Sequence, residues 1–228
     1  DSGSDDDTVK VAKAHGATQV VYNAFKGYGQ QKRYAEHLCS SDWILNLDAD
    51  EEVTEALRDE IMMLFSRNVL EAACRIRIKD VLPYEDQPRL GAYSYNQIRL
   101  YQRKCASFND STVHDVVVVK HGKTQQLSKL MYHRSKRSYR FQVFKLNRYS
   151  DMQAEDYYKK GRKVSTIRLL LEPLLSFLKS YFFRRDFMLG IDGFINSLMY
   201  SFSRTIRLAK CREYYKREAY LESNKHES

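Results

Sequence analysis

No uninterrupted run of about 18 apolar residues occurs in the chain, so a helix that crosses a membrane is not expected. There is also no C-x-x-C pair and no Cys/His set at metal-ligand spacing, because Cys39, Cys74, Cys105 and Cys211 are widely scattered. That argues against a zinc module and a disulfide framework, and for a reducing, cytoplasmic setting. The opening, DSGSDDDTVKVA, has neither the basic segment nor the apolar core of a signal peptide, and no initiator Met. The expectation is a chain that begins inside a longer protein. Internal repeats, low-complexity tracts and nucleic-acid motifs are not recognisable either.

What is present is a length of 228 residues, enough for a real core, with an excess of Tyr and Phe. The net charge of +9 is unevenly placed. The first 60 residues carry 13 acidic and 6 basic side chains; the remaining 168 carry 16 and 32. Such asymmetry points to a negatively charged partner, and without a nucleic-acid motif a phosphate-bearing ligand or an anionic membrane surface is favoured over nucleic acid.

The chain reads as helix over 8–15, strand over 18–22, helix over 30–39 and strand from Trp43, the rhythm of an α/β fold with a mostly parallel sheet. A helix over 54–68 follows, then strands over 73–78, 95–101, 113–120 and 127–133. Residues 81–91, with two prolines, read as a loop near the active-site rim. After Ser138 the pattern becomes helical: 139–160, 166–179 with Pro173 inside, and 187–220. The expected division is an α/β catalytic domain over 1–135 and a helical extension over 136–228.

The stretch WILNLDADEE, Trp43 to Glu52, is the chemical centre of this reading. Trp43, Ile44, Leu45 and Leu47 suit a buried strand, and Asp48 and Asp50, two apart, point to one side where it emerges. Two carboxylates that close need a counter-ion, so the pair suits a hard cation carrying a nucleoside diphosphate. The alternative is a helix cap, the role expected of Glu51 and Glu52.

DSGSDDDTVKVA, FKGYGQQKRYA, DWILNLDADEEV and VHD, in that order, resemble family two of the glycosyltransferases, nucleotide-sugar enzymes of the GT-A fold. The similarity is closest to the lipopolysaccharide core β-1,4-glucosyltransferase branch. Lys145-x-x-Arg148-Tyr149 and Phe187-x-x-Gly190-x-x-Gly193-Phe194 resemble that branch's helical tail. The family opens with a strand that has no counterpart before Asp1, a deficit of one βα unit, about 30 residues. The resemblance implies that Asp1 contacts the nucleotide base and Lys32 the base or diphosphate. It further implies that Asp50 ligates Mg2+ or Mn2+, while Asp48 touches ribose or the metal through water. His114-Asp115 matches a His-Glu pair, making Asp115 the candidate general base, shortened by one methylene; Asp110 is the reserve. His133 matches a histidine near metal or diphosphate, and Arg99 an arginine suited to phosphate.

In the tail, apolar and aromatic runs edged with Arg and Lys suit helices lying in a membrane interface. The combined expectation is an inverting, metal-dependent enzyme. It would move a hexose, with glucose the first candidate, from a UDP-sugar to a lipid-linked saccharide such as lipopolysaccharide core. Its place would be peripheral, on the cytoplasmic face of a bacterial inner membrane. Rival readings are another acceptor (capsule, glycolipid or protein) and a non-catalytic module that binds a nucleotide-sugar or a membrane.

Overall fold

A computed structural model describes residues 1–111 and 115–225. Its α/β order is α1 (Thr8–Ala14), α2 (Tyr28–Leu38), β1 (Trp43–Leu45), β2 (Glu51–Val53), α3 (Glu55–Ser66), β3 (Ala73–Asp80), β4 (Ser94–Gln102), β5 (Ala106–Phe108), β6 (Val117–Val119), β7 (Thr124–His133), α4 (Tyr139–Lys159), α5 (Thr166–Leu178) and α6 (Gly190–Lys225). Five strands form one sheet in the order β1-β4-β3-β7-β2, and β5 pairs with β6. The α/β class holds, but the pairings of β1 with β4 and of β2 with β7 are antiparallel rather than parallel. The alternation of helix and strand carries no information about strand direction at sheet edges.

The chain forms two compact units. The first comprises Asp1–Asn46, Leu64–Arg75 and Ile98–Leu127; the second, Leu47–Met63, Ile76–Gln97 and Ser128–Ser228. In the first, Ile44, Ala73, Tyr101, Ala106, Phe108 and Val117 form a buried cluster. The buried Glu36 of α2 accepts from the Tyr101 hydroxyl and the Phe108 N–H. Burial, first, and that hydrogen bond push the Tyr101 phenol far up from its usual value. Gly29, near the start of α2, lies so close to residues 109–111 that a Cβ there would sit 2.6 Å from the Asn109 carbonyl oxygen. In the second unit Leu57, Ile61, Ile76, Ile78 and Met131 are buried, and the alternation of buried Ile76 and Ile78 with exposed Arg75 and Arg77 along β3 is that of a half-buried strand.

Two expectations are corrected. Residues 18–22 are rich in β-branched side chains but form no strand. Around this segment, Asp1 donates to the Val21 carbonyl at 2.9 Å and accepts from the Asn23 N–H at 2.8 Å. A strand exists only as a member of a ladder, so propensity without a continuing neighbour leaves extended coil. The run at Trp43 also ends as a strand at Leu45, with Leu45 and Leu47 about 40% exposed (39% and 41%).

The tail forms three long helices close to the expected bounds. Gly193 sits against the backbone ahead of α6: a Cβ there would lie 1.7 Å from the Asp186 carbonyl oxygen. No side chain can rotate away from that overlap. Gly193→Ala is therefore expected to destabilise the fold by roughly 1–3 kcal/mol, seen as a lower thermal midpoint, because the backbone itself must move.

Candidate active site

The second unit assembles a charged cluster at the ends of three strands. The antiparallel register sets Glu51 opposite His133, and the Arg134 N–H donates to the Asp50 carbonyl at 2.7 Å, so Asp50 is fixed beside the end of β7. The Val81 N–H in turn donates to the His133 carbonyl at 2.9 Å, bringing in Asp80 from the end of β3. His133 Nε2 lies 3.5 Å from Asp50 Oδ1, and its Nδ1 lies 2.9 Å from Asp80 Oδ1 and 3.2 Å from the Tyr95 hydroxyl. Lys145, on α4, places Nζ 3.6 Å from Asp50 Oδ2; Lys136 Nζ is 3.2 Å from Asp80 Oδ2.

These contacts fix the charges. The hydrogen bond with His133 is the first cause that lowers the Asp50 carboxyl to about 2; burial opposes it, and the charges of His133 and Lys145 assist. Burial alone would lower the His133 imidazole, but the hydrogen bonds and charges of Asp50 and Asp80 outweigh it and raise the group to about 9. For Asp80, burial works upward, yet His133 and Lys136 leave its carboxyl below the usual range. At neutral pH the cluster therefore holds two carboxylates and three cations, His133, Lys136 and Lys145. Asp48, Glu51 and Glu52 of the same segment add negative charge, so it is the placement of the three cations beside Asp50 and Asp80 that suits a diphosphate.

Asp48 sits one turn earlier, where its N–H donates to the Glu51 carboxylate at 3.1 Å and its carbonyl accepts from the Glu51 N–H at 2.9 Å. Glu51 and Glu52 thus belong to β2 and its turn rather than to the first turn of α3, with Glu52 bonded to Arg134 at 2.7 Å. The helix is capped instead by Thr54, whose hydroxyl accepts from the Leu57 N–H. The apolar run stops too early, and a three-residue strand is too short for a period-two pattern to register.

Among the described residues, no three His, Cys, Asp or Glu side chains are grouped so as to hold a metal by themselves. Asp50 supplies one donor, the near nitrogen of His133 becomes a second only on giving up its proton, and Asp80 is committed to the opposite nitrogen. That donor set fits a divalent ion of the Mg2+ or Mn2+ kind only when phosphate oxygens and water complete its shell.

The remaining site residues lie in the first unit. Asp1 and Lys32 line the same cavity of about 750 Å3, beside the outer edge of β1. The Asp1 carboxylate accepts from the Gly3 N–H at 2.8 Å and the Ser4 N–H at 3.0 Å, closing the turn it begins. Lys32 donates to Asn46 Oδ1 at 3.1 Å, with Nζ 6.0 Å from the Phe108 ring centre. Arg99, on β4, is 6% exposed, so it is not a surface strand-end arginine. Asp110 is exposed and lines a small cavity with Lys26 and Gln30, while Asp115 is half-buried. His114 lies outside the described residues. Sequence reasoning passed over Asp80, Lys136 and Tyr95 and gave Lys145 no role; the signal for Asp80 was an acid closing an alternating strand, as Asp50 precedes another.

An ionised aspartate set among cationic side chains at the strand ends of an α/β sheet is an arrangement suited to a phosphate-bearing ligand. Residues 1–145 match glycosyl transferase family 2, and the chain belongs to that family. It is 42% identical over 223 residues to an uncharacterized glycosyltransferase of Rickettsia prowazekii, covering 93% of this chain and 76% of that protein. Identity to an uncharacterized glycosyltransferase of Rickettsia conorii is 41% over the same length, covering 93% and 79%. The lipopolysaccharide core biosynthesis glycosyltransferase LpsC of Rhizobium meliloti is 25% identical over 203 residues, 87% of this chain and 75% of that protein.

Proposed function

We propose that this glycosyltransferase moves a hexose, glucose being the first candidate, from a UDP-sugar to a lipid-linked saccharide such as a lipopolysaccharide core, with inversion at the anomeric carbon. The observation that carries the reading is Asp50, held ionised by His133 and Lys145 at the strand ends. Mg2+ or Mn2+, when bound there, would stabilise the charge on the departing diphosphate. Asp50 would hold the ion, joined by His133 once the ion displaces its proton, with Asp48 on the ribose or on its water shell. Lys136 and Lys145 keep the surroundings positive, so that the diphosphate leaves into a field that favours it. Asp1, Lys32 and Arg99 serve the nucleotide and phosphate side. Asp115, with Asp110 in reserve, takes the proton of the acceptor hydroxyl as its oxygen bonds to the anomeric carbon and the bond to the diphosphate breaks.

Because the chain offers at most two donors, divalent binding should depend on nucleotide. In calorimetry, Mn2+ alone is expected to give no saturable heat at micromolar concentrations, whereas Mn2+ with UDP gives a single site. Equal Mn2+ affinity with and without UDP would count against this assignment. Transfer is tested by a donor screen with mass detection of released nucleoside diphosphate. The anomeric configuration of the product decides inversion.

The acceptor's lipid is supported by the tail, whose packing is inside-out. Ser176, Ser180, Ser197 and Ser201 are buried on α5, the turns after it and α6, while Ile167, Leu170, Leu171, Leu174 and Leu175 are 48–72% exposed. These five fall at the helical spacing of one face. Ile191, Phe194, Leu198 and Phe202 make a second exposed stripe along α6. Water disfavours that arrangement; a lipid interface favours small and polar residues between helices and apolar ones outside. Among the described residues no helix is long and apolar enough to cross a membrane, so the face is proposed to lie on the anionic cytoplasmic leaflet, with Arg168, Lys179 and Arg185 at its edge.

A further inference from the structure

The second unit contains a cavity of about 270 Å3 whose lining includes Tyr93, Lys136, Lys145, Arg184, Asn196 and Tyr200. Its distinguishing feature is Arg184. The guanidinium carbon lies 4.9 Å from the Tyr93 ring centre and 4.2 Å from that of Tyr200, held by two aromatic rings. Among the described residues no carboxylate pairs with it; its side-chain bond is a long one, 3.5 Å, to the Tyr200 hydroxyl. Aromatic faces orient a guanidinium while leaving its hydrogen-bonding edge available for a carboxylate or phosphate.

The acids in the lining are already committed. Asp80 is paired with His133 and Lys136, and the buried Asp186 accepts from Ser180 at 2.7 Å, Asn196 at 2.7 Å and Ser197 at 3.1 Å. Lys145 connects the cavity with the site: it lines the one, and its ammonium is 3.6 Å from the Asp50 carboxylate of the other. The volume is near the lower end for small-molecule pockets, about 300–1,000 Å3, and suits one sugar residue rather than an oligosaccharide.

We infer that this cavity binds the anionic terminal residue of the acceptor, a single sugar carrying a carboxylate or a phosphate monoester, with Arg184 as the residue that selects its charge. The faces of Tyr93 and Tyr200 are taken by Arg184, and Gln142, Asn196 and Ser203, also in the lining, supply polar groups for the sugar's hydroxyls. The inference rests on the transferase reading for its meaning, but sugar binding can be measured without any transfer.

Galacturonic acid, glucose 6-phosphate, glucose and inorganic phosphate are titrated into the whole chain without nucleotide and followed by NMR. One or both anionic sugars are expected to bind, at least tenfold more tightly than glucose or inorganic phosphate, and the stronger of the two identifies the anionic group. Arg184→Gln and Arg184→Lys are expected to weaken that binding at least tenfold, the second because it keeps charge but loses the fork. In the wild-type protein the Arg184 Nε–H resonance should shift with the anionic sugar and not with glucose, which tests the site should either variant fail to fold. Equal binding of glucose, inorganic phosphate as tight as either sugar, or an unmoved Arg184 resonance each overturns the inference. A failure of the donor reading appears separately, as absence of UDP binding in the same sample.

Discussion

Asp50→Asn is expected to lower sugar transfer roughly a hundred- to a thousand-fold, the scale seen when one preorganised electrostatic partner of a developing charge is removed. The substitution keeps the shape of the side chain and removes its charge. Two consequences follow from the geometry. A bound ion would lose the carboxylate that His133 and Lys145 hold ionised, while the site loses one negative charge, so UDP without metal should bind no worse than before. The measurement is released UDP per unit time with Mn2+, beside UDP affinity with and without Mn2+. Unchanged turnover in the variant would falsify the role assigned to Asp50.

The same substitution has a signature in stability. His133 is raised from 6.5 to about 9, so its contribution to folding is fully present below about pH 6.5 and lost as pH rises through about 9. Asp50 is lowered from 3.8 to about 2, so its contribution is present above about pH 3.8 and lost as pH falls through about 2. The metal-free protein should therefore lose thermal stability between about pH 6.5 and 9. Asp50→Asn should shrink that loss without removing it, because Asp80 still faces the other nitrogen of His133.

The second large effect concerns the helical tail. Leu170→Glu, Leu174→Glu and Phe183→Glu together are expected to release the chain from phosphatidylglycerol vesicles in a sedimentation assay. These side chains are 72%, 58% and 85% exposed, so none holds the fold together. Each apolar side chain of this size gains about 1.5–3 kcal/mol when fully buried. Losing three such gains, with carboxylates facing an anionic surface, should weaken binding on the order of a thousand-fold or more. Unaltered thermal stability should accompany the loss. Sedimentation of the triple variant equal to that of the wild type would remove the membrane from the proposal, and so would wild-type protein that stays in the supernatant.

Elements whose signal is local were legible in the sequence. The alternation at Arg75, Ile76, Arg77 and Ile78 gave a half-buried strand, and the long helices after Ser138 lie within a few residues of their expected ends. The order of short motifs gave the family. Elements that depend on a distant neighbour were not legible. Residues 18–22 have strand propensity but no continuing ladder, while β2 and β5 exist because β7 and β6 lie alongside them. At the site, Asp50 was visible as an acid near a strand end. Its partners were not: His133, Asp80 and Lys145 stand 83, 30 and 95 positions away and meet it only through strand register and helix placement.

By itself, then, the sequence determined the α/β class, the family and the wide scatter of the cysteines. The tertiary structure decided which carboxylate is locked in its ionised form, which arginine is held between two tyrosines, and which side of the tail helices faces outward. The reason is physical: a residue's type and spacing are local properties, whereas its charge state and its exposure are set by whatever the fold brings within a few ångströms.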